Sequence, residues 1–307
     1  MTAPRIVDGE AFSITQSMLR TGSRRWFLRP WATRLAGCGA LALAYQKGAL
    51  PTVAKMITAG VGTIAAGMYL ANLCSATPTS ADGSAMAGLV IPWATMGMDR
   101  AWRDVRTELL KNVRGRVLDV GCAAGAYLKY YAGSAQRVTE VVALEPNQTM
   151  HGALRRTIAG LAQKARGLPF PVVVTAKFLE QLPPEENASF DSIVLGNVLC
   201  EVPDVAAALR EVDRLLKPGG RVYFSEHVLD APGSWRRAVQ QSVNPWWSVA
   251  AAGCHCNRDS LTAIRAVPGW EVEHWTFSIG GPLVWLDRFE VGLAVKRREG
   301  GGVRSAL

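Results

Sequence analysis

Hydrophobic and polar positions alternate along the chain in a way that separates a long C-terminal region from the residues before it. From 98 to 296, short runs of β-branched and apolar residues alternate with stretches of helical periodicity. This alternation predicts an α/β domain with a mainly parallel, seven-stranded sheet and helices on both faces, whose ligands bind beyond the carboxyl ends of the strands. The predicted strands are 116–121, 138–145, 170–175, 190–195, 221–225, 270–277 and 289–295. The predicted helices are 147–161, 204–216, 235–252 and 258–266.

The N-terminal third has a different pattern, with apolar runs that favour contact with a membrane. Residues 56–74 include no charged side chain, and this length is close to the ~20 residues needed to span a bilayer. A shorter apolar run covers 35–45, and a basic stretch with interleaved tryptophans, 20–34, precedes both. We therefore predict a basic segment at 1–34, a helical membrane anchor or hairpin at 35–74, and a linker at 75–97. The alternative is a buried helical pair packed on a soluble domain.

Small residues recur every four positions in the longer apolar run. Ala59, Thr63, Gly67 and Ala71 share one face of the predicted helix, and such a face lets a second membrane helix approach closely. We expect a partner at this face, either another subunit of a membrane complex or a second copy of this chain.

Composition and charge narrow the class of protein. The 307 residues are 49% hydrophobic and 19% charged, which excludes a disordered or fibrous chain. Of the net charge of +9, +6 lies within 1–55, so the α/β domain (98–298, before a tail at 299–307) is close to neutral and is not predicted to bind nucleic acid. Six cysteines in a chain of this length indicate a reducing compartment rather than a disulfide framework. The Arg-rich, acid-poor start slightly favours a mitochondrial membrane over the endoplasmic reticulum or a lipid droplet, with the α/β domain on the matrix or cytosolic side.

The first predicted strand ends in a loop suited to a nucleoside-like ligand. The sequence 117–125 reads VLDVGCAAG, an apolar strand followed by a turn of small residues that opens a helix. Small residues let the backbone approach a ligand, and a helix N-terminus offers free N–H groups. Glu145 follows 24 residues after Gly121, at the tip of the next strand, where a carboxylate can accept both hydroxyls of a ribose. The candidate cofactor-binding residues are Asp119, Gly121, Cys122, Ala123, Gly125, Glu145, Pro146, Asn147, Ala176, Phe178 and Asn197.

The loop resembles that of class I S-adenosylmethionine-dependent methyltransferases. It fits their D-x-G-x-G-x-G pattern, with Ala123 in place of the middle glycine, and not the G-x-G-x-x-G pattern of hydride-transferring enzymes. Residues 190–195 (FDSIVL) and 215–222 (LLKPGGRV) resemble the fourth strand and the turn into the fifth strand of that family. The resemblance covers about 101–296 and implies a Rossmann-like fold and S-adenosylmethionine as cofactor.

Further short motifs resemble the membrane-anchored, methyltransferase-like thiol methyltransferases, the seventh methyltransferase-like subfamily. These motifs are 198–200 (VLC), 225–228 (SEHV), 234–235 (SW), 240–241 (QQ), 244–247 (NPWW) and 253–254 (GC). The resemblance implies methyl transfer to a small hydrophobic thiol at an intracellular membrane. The chain departs from the subfamily at Glu145, where aspartate is commoner, and at 254–256, where CHC replaces a G-C-N-L-T-type run.

Candidate acceptor-side residues follow the fourth and fifth strands. His227, Asn197 and Cys200 are the candidate catalytic residues, and Trp246, Trp247 and Cys254 are the candidate lining of an apolar acceptor pocket. The alternatives are that His227 only makes a local hydrogen bond and that the tryptophans lie in the core or at a membrane surface. We predict no metal site, because Cys254, His255 and Cys256 supply three ligands without the two-residue gaps of a structural zinc site.

The sequence is compatible with three functions. The first is methylation of a hydrophobic thiol, which ionises easily and needs no strong base. The second is a quinone or lipid O/C-methyltransferase of the mitochondrial membrane, for which His227 or Glu201 would be the base. The third is a non-catalytic subunit with this fold, held in a membrane complex.

Overall fold

A computed structural model describes residues 5–7, 10–12, 102–134, 137–164, 167–251, 253–278 and 283–298. The predicted membrane anchor at 35–74, the linker at 75–97 and the tail at 299–307 lie outside these ranges. No helix within the described ranges is long and apolar enough to span a bilayer. Near the N-terminus, strands β1 (Arg5–Val7) and β2 (Glu10–Phe12) form a small antiparallel pair within the predicted basic segment.

The remaining described elements form an α/β domain. Its strands are β3 (Gly115–Val120), β4 (Val138–Leu144), β5 (Val172–Thr175), β6 (Phe190–Gly196), β7 (Leu216–His227), β8 (Trp270–Ser278) and β9 (Arg288–Lys296). Its helices are α1 (Arg103–Leu110), α2 (Leu128–Ala132), α3 (His151–Lys164), α4 (Val205–Leu215), α5 (Trp235–Ala250) and α6 (Ser260–Arg265). Short 3-10 turns occupy Gln148–Met150, Leu179–Gln181, Pro184–Glu186 and Val284–Leu286.

The seven strands make one twisted sheet in the order β5-β4-β3-β6-β7-β9-β8. Strands β3 to β7 are parallel, and β9 pairs antiparallel with both β7 and β8. The predicted Rossmann-like sheet of seven strands is therefore confirmed. The strand order reverses at β3, which has β4 on one side and β6 on the other, so a crevice opens beyond the carboxyl ends of these strands.

Helices cover both faces of this sheet, because β3 and its neighbours are apolar on both sides. On one face Val117 packs with residues of α1 and α2, such as Leu109 and Tyr131. On the other face Leu118 packs with α4 and α6, through residues such as Leu209 and Ile264. The alternation along β3 places Asp119 on the same face as Val117, beneath α1 and α2.

Several predicted boundaries differ from the structure for local reasons. Helix α3 begins at His151 rather than 147, because the Asn147 side chain accepts the N–H of Thr149 and caps a 3-10 turn first. Helix α6 begins after Asp259, whose carboxylate accepts the N–H of Thr262. Strand β7 begins at Leu216 rather than 221, since residues 217–220 form an irregularity opposite β6 instead of a separate turn. The sequence pattern did not predict α1, which spans only 8 residues, and it predicted α2, which spans 5, only as a helix that follows the loop.

Candidate active site

The loop between β3 and α2 has a backbone conformation and close neighbours that leave little room for side chains. Gly121, Ala123 and Gly125 all have positive φ, at 59°, 47° and 78°. A Cβ on Gly121 would lie 3.0 Å from a methyl carbon of Val198, and one on Gly125 would lie 2.8 Å from methyl carbons of α2 and α3. The loop is therefore a tight cradle whose small residues are required by its shape. Ala123 adopts the same left-handed conformation with a side chain, which costs about 1–2 kcal/mol.

Glu145 joins this loop to the end of β4. Its Oε2 accepts the N–H of Ala123 at 2.8 Å, and its Oε1 accepts the N–H of Asn147 at 2.8 Å. Burial raises the pKa of the Glu145 carboxyl, and the two N–H donors work in the opposite direction. Each oxygen has more than one lone pair, so both can still accept a hydroxyl group of a ribose. The His151 ring, which sequence reasoning did not select, contacts the carbonyl oxygen of Glu145 at 2.7 Å and holds this corner in place.

Asp119 lies one position before the end of β3 and is 1% exposed. Neither of its carboxylate oxygens has a hydrogen-bond partner within the described part of the chain. Burial raises the pKa of Asp119 to about 7; the nearby Tyr131 hydroxyl lowers it and the charge of Glu145 raises it further. An acid with unused oxygens at the floor of the crevice suits a polar ligand group.

Asn197 completes the crevice on the side of β6. It has a positive φ of 58°, and its buried Oδ1 has no hydrogen-bond partner among the residues with described positions. The turn that follows is fixed by Glu226 of β7, whose Oε1 accepts the N–H groups of Val198 at 2.9 Å and Leu199 at 3.3 Å. Sequence reasoning gave Glu226 no role, although an acid soon after the apolar run 222–224 of a predicted strand is itself a signal of a buried polar role.

The other predicted cofactor-binding residues lie at the same edge of the sheet. Cys122 is buried in the loop, and burial raises the pKa of its thiol well above the usual value. Pro146 and Asn147 follow β4 and are half-buried; after β5, Ala176 is exposed and Phe178 is half-buried. The N–H of Glu145 donates to the carbonyl oxygen of Thr175 at 3.0 Å, which keeps the ends of β4 and β5 together.

Three buried side chains from distant parts of the sequence meet beside this crevice. We call Cys200, His227 and Cys254 the sulfur cluster. Their Sγ and Nε2 or Nδ1 atoms all lie within 4.8 Å of one another, and Cys254 Sγ is 3.3 Å from His227 Nε2. The indole N–H of Trp247 donates to Cys254 Sγ at 3.4 Å. The hydrogen bond to Cys200, together with the contact with His227, lowers the pKa of the Cys254 thiol. The contact with Cys254 raises the pKa of His227, although burial acts in the opposite direction.

The structure separates other residues that the sequence placed with this group. Trp246 is 74% exposed, whereas Trp247 is half-buried and packs edge to face on Trp285, with ring centroids 5.6 Å apart. Cys256 is buried, but its Sγ contacts the carbonyl oxygen of Gln240 and the Oδ1 of Asn244 instead of the sulfur cluster.

Glu201 follows Cys200 in the turn after β6, and its side chain is exposed. Desolvation by nearby protein atoms raises the pKa of Glu201 to about 8, with added effects from the charges of Cys254, Glu145 and Glu226 and an opposing one from Arg258. Arg258 also donates to the carbonyl oxygens of Leu199 and Val202, so it holds the turn that carries Cys200 and Glu201.

These features fit S-adenosylmethionine. The tight loop lets the cofactor lie against the protein backbone, and Glu145 is oriented to accept the hydroxyl groups of its ribose. The polar atoms of Asp119 and Asn197 that lack partners can contact the polar end of its methionine moiety. The sulfur cluster adjoins the crevice, since Cys200 Sγ donates to the carbonyl oxygen of Asn197 at 3.4 Å. The site can therefore hold a methyl donor next to a largely buried, sulfur-rich wall.

Comparison with known proteins agrees with this geometry. The sequence profile of the family described as "Methyltransferase domain" matches residues 95–274. Human thiol S-methyltransferase TMT1A is 33% identical over 171 residues, which cover 55% of this chain and 65% of that protein. A ubiquinone biosynthesis O-methyltransferase from Xanthomonas oryzae is 34% identical over 110 residues, 36% of this chain and 42% of its own length. The mitochondrial methyltransferase OMS1 of Saccharomyces cerevisiae is 30% identical over 184 residues, 53% of this chain and 35% of that protein.

The matched region contains the loop, Glu145, Asn197, Cys200, His227 and Cys254, and it spans more than half of the chain. The sequence-based resemblance and its cofactor are thereby confirmed. The chain therefore belongs to the methyltransferase domain family.

Proposed function

We propose that this enzyme transfers the methyl group of S-adenosylmethionine to a small hydrophobic thiol. The observation that carries the proposal is the sulfur cluster beside the cofactor crevice, with the Trp247 indole against it. Sulfur and aromatic surfaces favour a soft, apolar acceptor over a strongly hydrated one. The curated relatives named thiol S-methyltransferases support this choice, although the match covers 65% of the length of human TMT1A.

The cofactor supplies an activated methyl group on its sulfonium. Methyl transfer then needs the acceptor sulfur in line with the methyl carbon and water kept away. Glu145 and the loop fix the donor, while Trp247 and the half-buried Trp285 give an apolar wall for the acceptor. A thiol with a pKa of about 8.5 is partly ionised near neutral pH, so a strong base is not required.

The second candidate is methylation of an oxygen acceptor such as a quinol. It is favoured by the similarity to the Xanthomonas ubiquinone biosynthesis O-methyltransferase and by Glu201, an acid directly after Cys200 whose pKa is raised to about 8. A hydroxyl is far less acidic than a thiol and needs a base at this position.

Product analysis separates the two candidates. The full-length enzyme is incubated with methyl-deuterated S-adenosylmethionine and either an alkyl thiol or a hydrophobic quinol, and the labelled product is identified by mass spectrometry. We expect the labelled thioether with the thiol and little labelled ether with the quinol. A labelled quinol ether without thioether would overturn the thiol assignment, and no labelled product from any acceptor would favour a non-catalytic subunit.

We further propose that residues 35–74 attach the enzyme to an intracellular membrane, with a helix partner at the face formed by Ala59, Thr63, Gly67 and Ala71. The support is the uncharged apolar run and its basic, tryptophan-containing flank. The mitochondrial yeast relative favours a mitochondrial membrane.

We expect the full chain to stay in the membrane fraction after washing with high salt and with carbonate, because apolar insertion is not screened by ions. Release by carbonate would contradict an inserted anchor, and release by salt alone would leave only the basic segment as the contact.

A further inference from the structure

The sulfur cluster combines the ligand types that zinc prefers. Two thiols and one imidazole offer three donor atoms within 4.8 Å of one another, all buried. In a tetrahedral site with Zn–S of about 2.3 Å and Zn–N of about 2.0–2.1 Å, neighbouring donor atoms lie about 3.6–3.8 Å apart. The 3.3 Å between Cys254 Sγ and His227 Nε2 is close to that spacing. Small side-chain rotations would therefore suffice to place one ion between the three donors.

The backbone around these three residues is fixed independently of any ion. Cys200 lies in the turn after β6 that Glu226 and Arg258 hold through backbone groups. His227 is the last residue of β7. The N–H of His255 donates to the carbonyl oxygen of Cys200 at 2.8 Å, which ties the segment of Cys254 to that turn. A pre-arranged donor set lowers the cost of ordering the site when a metal binds.

We propose that Cys200, His227 and Cys254 bind one Zn²⁺ ion and leave its fourth coordination position for the sulfur of the methyl acceptor. Three protein ligands with one open position are typical of catalytic zinc, whereas structural zinc has four protein ligands.

The use of the fourth position rests on the proposed thiol methylation. The bound acceptor thiol releases its proton to water, and the resulting thiolate attacks the methyl carbon. A sulfur–carbon bond forms as the sulfonium–carbon bond breaks, and the bonding electrons stay on the sulfur of S-adenosylhomocysteine. The neutral thioether is a weaker ligand than a thiolate and leaves the ion.

The metal site differs from the one that the sequence suggested and that we set aside. The adjacent residues His255 and Cys256 are not part of it, since His255 contacts the Asn244 side chain at 3.2 Å and Cys256 faces α5. The parallel sheet instead brings in Cys200 and His227, which lie 54 and 27 positions before Cys254 in the sequence. The two-residue gaps of structural zinc sites therefore do not apply here.

The experiment uses cobalt as a spectroscopic substitute for zinc. The reduced, chelator-treated full-length protein is titrated with Co²⁺, and thiolate-to-cobalt charge-transfer absorption is recorded. The variants are Cys200→Ser and Cys254→Ser, with Cys256→Ser as the matched control, because Cys256 is a buried thiol two residues away that lies outside the cluster. S-adenosylmethionine affinity and thermal unfolding are measured on every variant to show that it is folded.

We expect one equivalent of Co²⁺ with strong charge-transfer absorption in the wild type and in Cys256→Ser. Cys200→Ser and Cys254→Ser should weaken cobalt binding at least tenfold and lose about half of the absorption, while still binding S-adenosylmethionine. Absence of charge-transfer absorption in the wild type, or equal loss in the Cys256→Ser control, would overturn the metal site.

A thiol titration then tests the open position separately from the enzyme's activity. Adding a small alkyl thiol to the cobalt-loaded protein should raise the charge-transfer absorption by about half, because a third thiolate joins two. An unchanged spectrum would overturn coordination of the acceptor. Since cobalt binding is measured without an acceptor, an enzyme that methylates quinols instead of thiols would still show the first result and would fail only in the product analysis above.

Discussion

At the scale of single residues, a few buried polar groups define the cofactor crevice. Glu145 is 7% exposed and Asp119 is 1% exposed, yet the two carboxylates differ in their surroundings. Glu145 already accepts two backbone N–H groups, whereas Asp119 accepts none within the described ranges. This difference assigns them different roles: Glu145 is an oriented acceptor, and Asp119 is an acid whose protonation is sensitive to its environment.

Replacing Glu145 tests the first role. Glu145→Ala should weaken S-adenosylmethionine binding ten- to a hundredfold, because losing a charge-assisted pair of hydrogen bonds costs about 1.5–3 kcal/mol. Calorimetric titration measures the change. Glu180→Ala, which removes an exposed carboxylate from the short turn after β5, serves as the control for net charge. If both variants bound the cofactor as the wild type does, Glu145 would not hold the ribose.

Replacing Ala123 tests the strain in the loop. Ala123→Gly should raise the free energy of unfolding by about 0.5–1 kcal/mol, since relief of a left-handed alanine (about 1–2 kcal/mol) exceeds the entropic cost of an added glycine (about 0.4–1 kcal/mol). Ala124→Gly is the matched control, because Ala124 itself does not have a positive φ, so the same exchange relieves no strain and should destabilise. Chemical denaturation measures both. Equal shifts in the two variants would show that Ala123 is unstrained.

The pH dependence of stability tests the second role. The pKa of Asp119 is about 7 in the folded protein and about 3.8 when exposed, so only the folded state keeps this proton between these values. Stability should therefore fall as pH rises from about 4 to about 7, by up to about 4 kcal/mol from this group. Asp119→Asn should flatten the curve over that window, and the difference between the two proteins cancels the contributions of Glu226 and other acids. Parallel curves of melting temperature against pH would contradict the assignment.

At the scale of elements, helix α5 separates two adjacent tryptophans into different environments. Pro245 lies inside this helix, and the helical rotation after it turns Trp246 to solvent and Trp247 toward Cys254 and Trp285. A sequence pattern cannot assign such a pair, because both residues have the same apolar character and only the packing of α5 on its neighbours decides which one is covered.

This pair provides its own control experiment. Trp247→Ala should lower kcat/KM for a hydrophobic thiol at least tenfold, because it removes apolar wall and the N–H donor to Cys254, while S-adenosylmethionine affinity stays within twofold. Trp246→Ala should leave both quantities within twofold. Steady-state kinetics with calorimetry decides the outcome. A Trp247→Ala enzyme that lost cofactor affinity in step with activity would show that Trp247 supports the fold instead of the acceptor.

At the scale of the whole molecule, the helices and strands could be predicted from the sequence better than the contacts between residues that lie far apart in it. The strands could be located from apolar runs bounded by glycine and proline, and the loop with Glu145 from spacing alone. The start of α3 and the irregularity at 217–220 depend on single capping or bulge interactions, which periodicity does not record. The convergence of Cys200, His227 and Cys254 depends on β6 and β7 being neighbours and on the return of the chain after α5. Glu226 escaped prediction because its task is to hold a backbone turn 28 residues away.

The most direct test of the proposed function compares two acceptors that differ in one atom. With S-adenosylmethionine saturating, kcat/KM is measured for a hydrophobic alkyl thiol and for the alcohol with the same carbon skeleton. We predict a ratio of at least a hundredfold in favour of the thiol, because the sulfur cluster and the apolar wall suit a soft acceptor and a thiol, unlike an alcohol, needs no strong base. Equal rates for the two acceptors, or faster methylation of the alcohol, would contradict the account.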